Sequence, residues 1–323
     1  MLYAGTTCLL GFKYSILNDI VKKLKLKSLS AGNQRHESSL VGTSETLCNE
    51  TVEISTSTEN IKPISIHVPT HLKPVSEEQF GHYLAGLIDG DGHFSSKQQL
   101  VIVFHSLDAS LAYYLKGRLG SGSVKKVKNK NAFILVISSK KGLEKVINLI
   151  NGKIRTENKF NQINNNILNH KNFAEFSKNI NFKLNLDKDL KNHWLAGFTD
   201  ADGSFQIKVL TRSNKVEVRL NFQIDQKKND ILLLIKDFFG GNIGYRKIQD
   251  TYYYGSTSFG SAKNFINYFD YYHLLSSKHI NYLKWRNAYL IIQNRDHLKK
   301  EGVEKIIKLK KQPVPKTGPG MGE

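Results

Sequence analysis

Two stretches of the chain repeat each other closely: FGHYLAGLIDGDGHF at Phe80–Phe94 and KNHWLAGFTDADGSF at Lys191–Phe205. Their key aspartates, Asp91 and Asp202, lie 111 residues apart. A duplicated segment at such a separation predicts two like halves in one chain. Within the first copy Leu84, Leu87 and Ile88 give an apolar helical face, and Gly86 and Gly90, four residues apart, share a face. Gly197 and Ala201 take the same places in the second copy. Glycine in mid-helix costs about 1 kcal/mol relative to alanine. Small residues at this spacing let two helix backbones approach closely, and the natural partner of each motif helix is the other.

Each motif helix ends in an aspartate with Gly92 or Gly203 next in the chain, which reads as a left-handed C-terminal cap. A carboxylate there faces the negative end of the helix dipole. Side-by-side helices would also bring Asp91 and Asp202 together. Stability alone gives no reason to do this twice. Divalent cations between the carboxylates do, with the backbone carbonyls of Gly90 and Ala201 as further oxygen ligands.

The segments after each motif also match in kind. The expected strands of the first copy are about 94–97, 100–104, 123–127 and 132–137, with helices about 108–119 and 143–149. In the second copy they are 204–211, 215–224, 243–248 and 252–259, with helices 229–239, 262–271 and 277–293. Phe205, Ile207 and Val209, then Val216, Val218, Leu220, Phe222 and Ile224, alternate with Gln206, Lys208, Arg219, Asn221 and Gln223. Such a sheet packs helices on its apolar face and offers a basic, polar face to a ligand. Ser76 and Gln79 form a capping box ahead of the first motif. The chain divides into an N-terminal extension and linker of low order at 1–75, a first repeat at 76–175, a second repeat at 176–298, and a basic disordered tail at 299–323. The fold class is α+β.

The 323 residues carry 47 Lys+Arg against 28 Asp+Glu, a net charge of +19. Such a surplus calls for a polyanionic partner, nucleic acid first. Two cysteines, both near the N-terminus, exclude a disulfide framework and a multi-cysteine zinc site in the body. No apolar run approaches the length of a membrane span. Abundant Asn, Ile, Lys and Tyr suit an AT-rich organellar gene.

LAGLIDGDG and LAGFTDADG resemble the two signature motifs of the LAGLIDADG homing endonucleases in their single-chain, two-repeat form. The resemblance covers roughly residues 76–296. It implies a pseudo-twofold monomer of αββαββα repeats, with the motif helices as central interface and two antiparallel sheets forming a saddle over double-stranded DNA. Asp91 and Asp202 match the family's catalytic, metal-binding acids, with Mg2+ as the implied cofactor. Asp89 and Asp200 match positions that shape the helix ends and are not metal ligands. Gln226 matches an active-site glutamine, and Lys278 an active-site lysine. Lys153 is its first-copy partner by spacing, since Lys153 precedes Phe160 as Lys278 precedes Trp285. The first-copy equivalent of Gln226 is His105 or Ser106. The implied reaction is hydrolysis of both strands across a minor groove, leaving short 3′ overhangs.

Base reading is expected from Gln206, Lys208, Arg219, Asn221, Gln223 and Arg246 in the second half, and from Lys97, Lys125 and Lys128 in the first. The first-half strand near Val101–Val103 is apolar on both faces and assigns no reader. Unlike halves imply a long, asymmetric target. The alternative is an intron RNA maturase on the same scaffold. The expected location is the mitochondrion, with the chloroplast second.

Overall fold

Why two helices can lie backbone against backbone is visible at their glycines. In the computed structural model, which describes residues 62–212 and 215–311, the motif helices are α1 (Glu77–Asp91) and α6 (Trp194–Asp202). A Cβ built on Gly86 would lie 1.9 Å from the Trp194 carbonyl oxygen, and one on Gly197 would lie 2.0 Å from that of Tyr83. Gly86 and Gly197 are therefore obligatory at the crossing. Ser76 accepts from the Gln79 amide while the Gln79 side chain reaches back to the Ser76 amide, completing the expected capping box.

From α1 the chain runs through β1 (Gly92–Ser95), β2 (Gln99–His105), α2 (Ala109–Leu119), β3 (Ser123–Lys126), β4 (Ala132–Ile137), α3 (Lys140–Ile150), α4 (Glu157–Ile163) and α5 (Ala174–Asn179). The second half repeats the order: α6, β5 (Gly203–Arg212), β6 (Lys215–Gln226), α7 (Asp230–Phe239), β7 (Asn242–Arg246), β8 (Thr251–Ser256), α8 (Phe259–Phe269) and α9 (Lys278–Gln293). Each half forms an antiparallel four-stranded sheet of equivalent order, β1-β2-β4-β3 and β5-β6-β8-β7. The expected α+β fold is present, with α4 and α5 following the first αββαββα unit and α9 following the second.

The alternation of β5 and β6 directs Phe205, Phe222 and Ile224 inward. Phe222 packs on Phe265 with ring centroids 4.3 Å apart, and Phe205 lies against Trp285 and Tyr282. The first half buries aliphatic side chains instead, among them Leu111, Leu115, Leu135, Ile137 and Ile147.

Three expectations need correction. Gly92 and Gly203 are not left-handed; their φ values are −70° and −79°. Glycine is required there for space, because an added Cβ would lie 2.8 Å from Ile88 Cα or 2.5 Å from Thr199 Cγ2. The tail from 299 is not disordered throughout. Lys300–Lys311 forms α10, which buries Ile306. Its apolar residues return at helical spacing (Val303, Ile306, Ile307), a pattern masked by the high lysine content.

The boundary at 75 also moves. Of the extension expected over residues 1–75, residues 1–61 lie outside the described residues, but residues 64–71 pack on the second repeat, and Lys73 and Pro74 meet Tyr114 and Arg118 of the first. Ile64 is buried, its amide donates to Gln293 Oε1, and the buried Arg286 donates to the Ser65 and His67 carbonyls while pairing with Asp270. A deletion ending at residue 70 would remove carbonyls that a buried guanidinium needs.

In the same strap, the His71 ring lies 4.4 Å from that of His279 and 5.2 Å from that of His273. Burial first, then the neighbouring imidazoles, hold His279 down to about 4.

Gly197→Ala should lower stability by about 1–3 kcal/mol, the usual cost of overpacking, because the colliding atom is backbone and cannot rotate away; a urea titration with an unchanged midpoint would refute the crossing. Two histidines should also cost the fold stability on acidification, against the opposite pull of Asp89 and Asp200, whose carboxyls burial raises. His279 and His193 sit at about 4 when folded, against 6.5 for a free imidazole. The unfolded chain takes up protons first, so stability present above about pH 6.5 is lost as pH falls towards about 4. Denaturation midpoints compared at about pH 7 and pH 5 test this, and His279→Gln should shrink the difference.

Candidate functional site

The crossing of α1 and α6 brings the two helix C-termini together. An added Cβ on Gly90 would lie 2.3 Å from Ala201 Cβ and 3.0 Å from Asp202 Oδ2. The Asp202 carboxylate thus reaches across the interface to the end of the opposite helix. Asp91 and Asp202 are both only partly buried, at the surface where the two helices end.

Two residues upstream, Asp89 and Asp200 have a different part. Both are buried. Asp89 accepts from the Arg155 and Thr156 amides at 2.8 and 3.1 Å, from Thr156 Oγ1 at 2.6 Å, and from Trp194 Nε1 at 2.8 Å. Asp200 accepts from the Leu275 amide at 2.7 Å, from Ser276 Oγ at 2.5 Å, and from the Tyr83 hydroxyl at 2.7 Å. Tyr83 and Trp194 occupy the same place in the two motifs, so each helix donates to the buried acid of the other. Burial pushes Asp89 up to about 6, against the lowering pull of Thr156, Arg155 and Trp194. Asp200 is raised by burial too, opposed by Ser276, Leu275 and Tyr83. Their lone pairs are committed to locking the interface.

Gln226 ends β6 and donates from Nε2 to Asp202 Oδ2 at 2.7 Å. Lys278, at the start of α9, donates to the carbonyls of Thr199 and Ala201 at 3.0 and 2.9 Å. A cation at those carbonyls complements the negative end of α6.

The first-copy lysine is not where spacing put it. Lys153 Nζ lies 3.1 Å from Glu78 Oε2, beside the first turn of α1 and at the far end of that helix from Asp91. Lys159, buried on α4, instead donates to the Gly92 carbonyl directly after Asp91. The distance to an aromatic residue was the wrong ruler. The informative signal is the hydroxyl that binds the buried aspartate: a lysine follows it closely in both halves, Lys159 three residues after Thr156 and Lys278 two after Ser276. The equivalent of Gln226 is likewise neither His105 nor Ser106. Gly92 pairs with Ile102 and Gly203 with Ile224, so the residue two further on, Phe104, matches Gln226. His105 accepts the Leu107 amide at Nδ1, and Ser106 opens the next turn.

On the outer face of the second sheet, cross-strand pairing aligns Gln206 with Asn221 and Lys208 with Arg219. Asn221 donates to Gln206 Oε1 at 3.1 Å, Gln223 donates to Asp225, and Arg246 pairs with Asp225 at 2.9 Å while stacking over Tyr253. Arg219 pairs with Glu217. In the first half Lys97 lies in the β1–β2 turn, Lys125 on β3 and Lys128 just beyond β3, all exposed.

The LAGLIDADG endonuclease family profile matches residues 84–170 and 195–289, one match per repeat. The chain belongs to this family. It is 61% identical over 319 residues to an uncharacterized cox1 intron-2 protein of Schizosaccharomyces pombe, covering 95% of each chain. It is 30% identical over 268 residues to the intron-encoded DNA endonuclease aI3 of Saccharomyces cerevisiae, covering 67% of this chain but 65% of that protein. The meganuclease I-SmaMI, solved bound to DNA, has the same fold: TM-score 0.56 at 24% identity, over 71% of this chain and 97% of that one. The same protein has been solved on an uncleaved DNA target in the presence of calcium ions. Among the described residues no helix is long and apolar enough to cross a membrane.

The two lysines give a discriminating prediction. Lys159→Met should slow DNA cleavage by on the order of a hundredfold, the usual loss for one preorganised stabilising donor, in a protein that keeps its circular dichroism spectrum. Lys153→Met should cleave at the wild-type rate. The reverse pattern would restore the spacing-based assignment.

Proposed function

We propose that this LAGLIDADG endonuclease hydrolyses both strands of a long, asymmetric DNA target, with Asp91 and Asp202 holding Mg2+. The observation that carries the reading is the meeting of two helix C-termini through Gly90 and Ala201, which sets Asp202 Oδ2 against the opposite helix end. Among the described residues no group of three or more His, Cys, Asp or Glu stands ready to hold a metal. Two carboxylates and backbone carbonyls nevertheless form a donor set of hard oxygens alone. That set fits Mg2+, which keeps several waters and is commonly bound by one or two carboxylates plus substrate phosphate. A bound divalent cation supplies Lewis acidity and a water of lowered pKa.

The chain's own groups do the rest. Gln226 orients the Asp202 carboxylate through its 2.7 Å hydrogen bond. Lys278 and Lys159 place positive charge beside the helix ends, where charge builds on a phosphate undergoing in-line attack. Asp89 and Asp200 fix the crossing that sets the distance between the two acids. Gln206, Lys208, Arg219, Asn221, Gln223 and Arg246 lie on or beside the outer face of a two-stranded ribbon of a size that enters a major groove. Lys97, Lys125 and Lys128 are the basic DNA contacts of the first half. One chain holds both halves, which supports action as a monomer. The relatives' intron-encoded names support an organellar, mitochondrial setting.

Replacing Asp91 or Asp202 with Asn should abolish double-strand cleavage and leave DNA affinity at or above wild type, since a negative charge near phosphate is removed. Gel shift and cleavage on the same preparations test this, with and without Mg2+. Full Mg2+-dependent cleavage by either variant sinks the assignment. Tight binding to intron RNA, with no duplex cleaved by wild type, would instead favour the maturase.

A further inference from the structure

The outer faces of the two sheets differ in chemistry at matching positions. Gly92 pairs with Ile102 and Gly203 with Ile224; Ile102 then pairs with Leu135, and Ile224 with Tyr254. By this register Val101, Val103, Ile134 and Val136 stand where the second half has Gln223, Asp225, Tyr253 and Gly255. In the second half that centre is a connected polar network of Asn221, Gln223, Asp225 and Arg246. In the first half it is an aliphatic patch.

Val101 is buried, but the rest of the patch is not core. The inward side of the same strands holds Phe94, Leu100, Ile102, Phe104, Leu135 and Ile137, all buried. Val103, Ile134 and Val136 remain partly exposed on the opposite side, with exposed His93, His105 and Lys125 around them.

Aliphatic carbon has no donor or acceptor with which to sort base edges. The major groove offers it one distinguishing feature, the C5-methyl group of thymine. We infer that the first repeat reads its half of the target largely through thymine methyl groups, contacted by Val103, Ile134 and Val136. The inference rests on the DNA-endonuclease reading. The basic rim, and the equivalence by register of this face with the polar face of the second sheet, argue for DNA as its occupant. The target is then unequal in kind: one half thymine-rich and sorted by shape and methyl contact, the other sorted by hydrogen bonds.

Deoxyuridine keeps every hydrogen-bonding edge of thymine and lacks only the methyl, so it tests this on the wild-type chain. Duplexes bound in calcium are selected from a randomised library, and the second-repeat half is marked by the positions that change when selection is repeated with Gln223→Ala. Thymines are then replaced by deoxyuridine one half at a time. The expected result is thymine enrichment in the first-repeat half and a loss of affinity there of about fourfold per contacted methyl, the worth of one buried methyl group, with little change in the other half. A selected site that is cleaved normally but is indifferent to deoxyuridine in that half overturns the inference and leaves the endonuclease reading intact. Failure to select or cleave any duplex removes both.

Discussion

The backbone contact between α1 and α6 at Gly86 and Gly197 sets the scale for the rest of the molecule. At both residues the atom that would meet an added Cβ is a main-chain carbonyl oxygen, about 2 Å away. A side chain can rotate out of a collision and a carbonyl inside a helix cannot. The helices therefore have one available approach, and everything attached to their ends inherits it. The sheets begin at Gly92 and Gly203, directly after the motif helices, so the crossing also fixes where the two outer faces start.

Close approach alone leaves rotation about the contact open, and the buried acids close it. Asp89 and Asp200 each carry a desolvation penalty that can reach several kcal/mol. Hydrogen bonds to charged groups offset this by about 1.5–3 kcal/mol apiece, and Asp89 accepts four. Burial still outweighs those bonds at Asp89, whose carboxyl is pushed up to about 6. The gain is in uniqueness, because a slipped register would leave Trp194 and Tyr83 without acceptors and two carboxylates buried without donors. The aspartates that shape the helix ends and those proposed to hold metal are thus separate pairs, and the first pair positions the second.

The parts of this architecture carried by local pattern were legible in the sequence. The Gly86/Gly197 match, the alternation through Phe205–Ile224 and the Ser76 capping box each state their structure within a few residues. The errors fell where the answer depends on contacts distant along the chain. Lys153 and Lys159 are six residues apart, and the bonds from Thr156 to Asp89 and from Lys159 to the Gly92 carbonyl show which lysine faces the helix end. Phe104, not His105, matches Gln226, because the register of β1 on β2 decides and no one-residue gap is present. Residues 62–75 read as linker because Arg286, which binds their carbonyls, lies more than two hundred residues away. Gly92 and Gly203 stand out in the sequence, but the cause is crowding against the last helical turn rather than a positive φ, and crowding has no local signature.

Symmetry in this chain is strict only where the halves touch. Gly86 and Gly197 are alike, and Tyr83 and Trp194 are both donors. One step further along the helices the match already breaks: Gly90 faces Ala201, and a Cβ on Gly90 would come within 2.3 Å of the Ala201 methyl. The interface has room for one methyl and not two, so identical motifs of the alanine type could not close in this way. The asymmetry widens outward. Asp202 has Gln226 beside it while Phe104 stands at the matching place near Asp91; Lys278 binds the Thr199 and Ala201 carbonyls while Lys159 binds that of Gly92. On the outer faces, where neither half constrains the other, the chemistry has parted altogether into aliphatic and polar surfaces. A duplicated chain is free to diverge in proportion to distance from its own crossing, and that freedom lets one molecule address two unlike half-sites while holding two acids in one geometry.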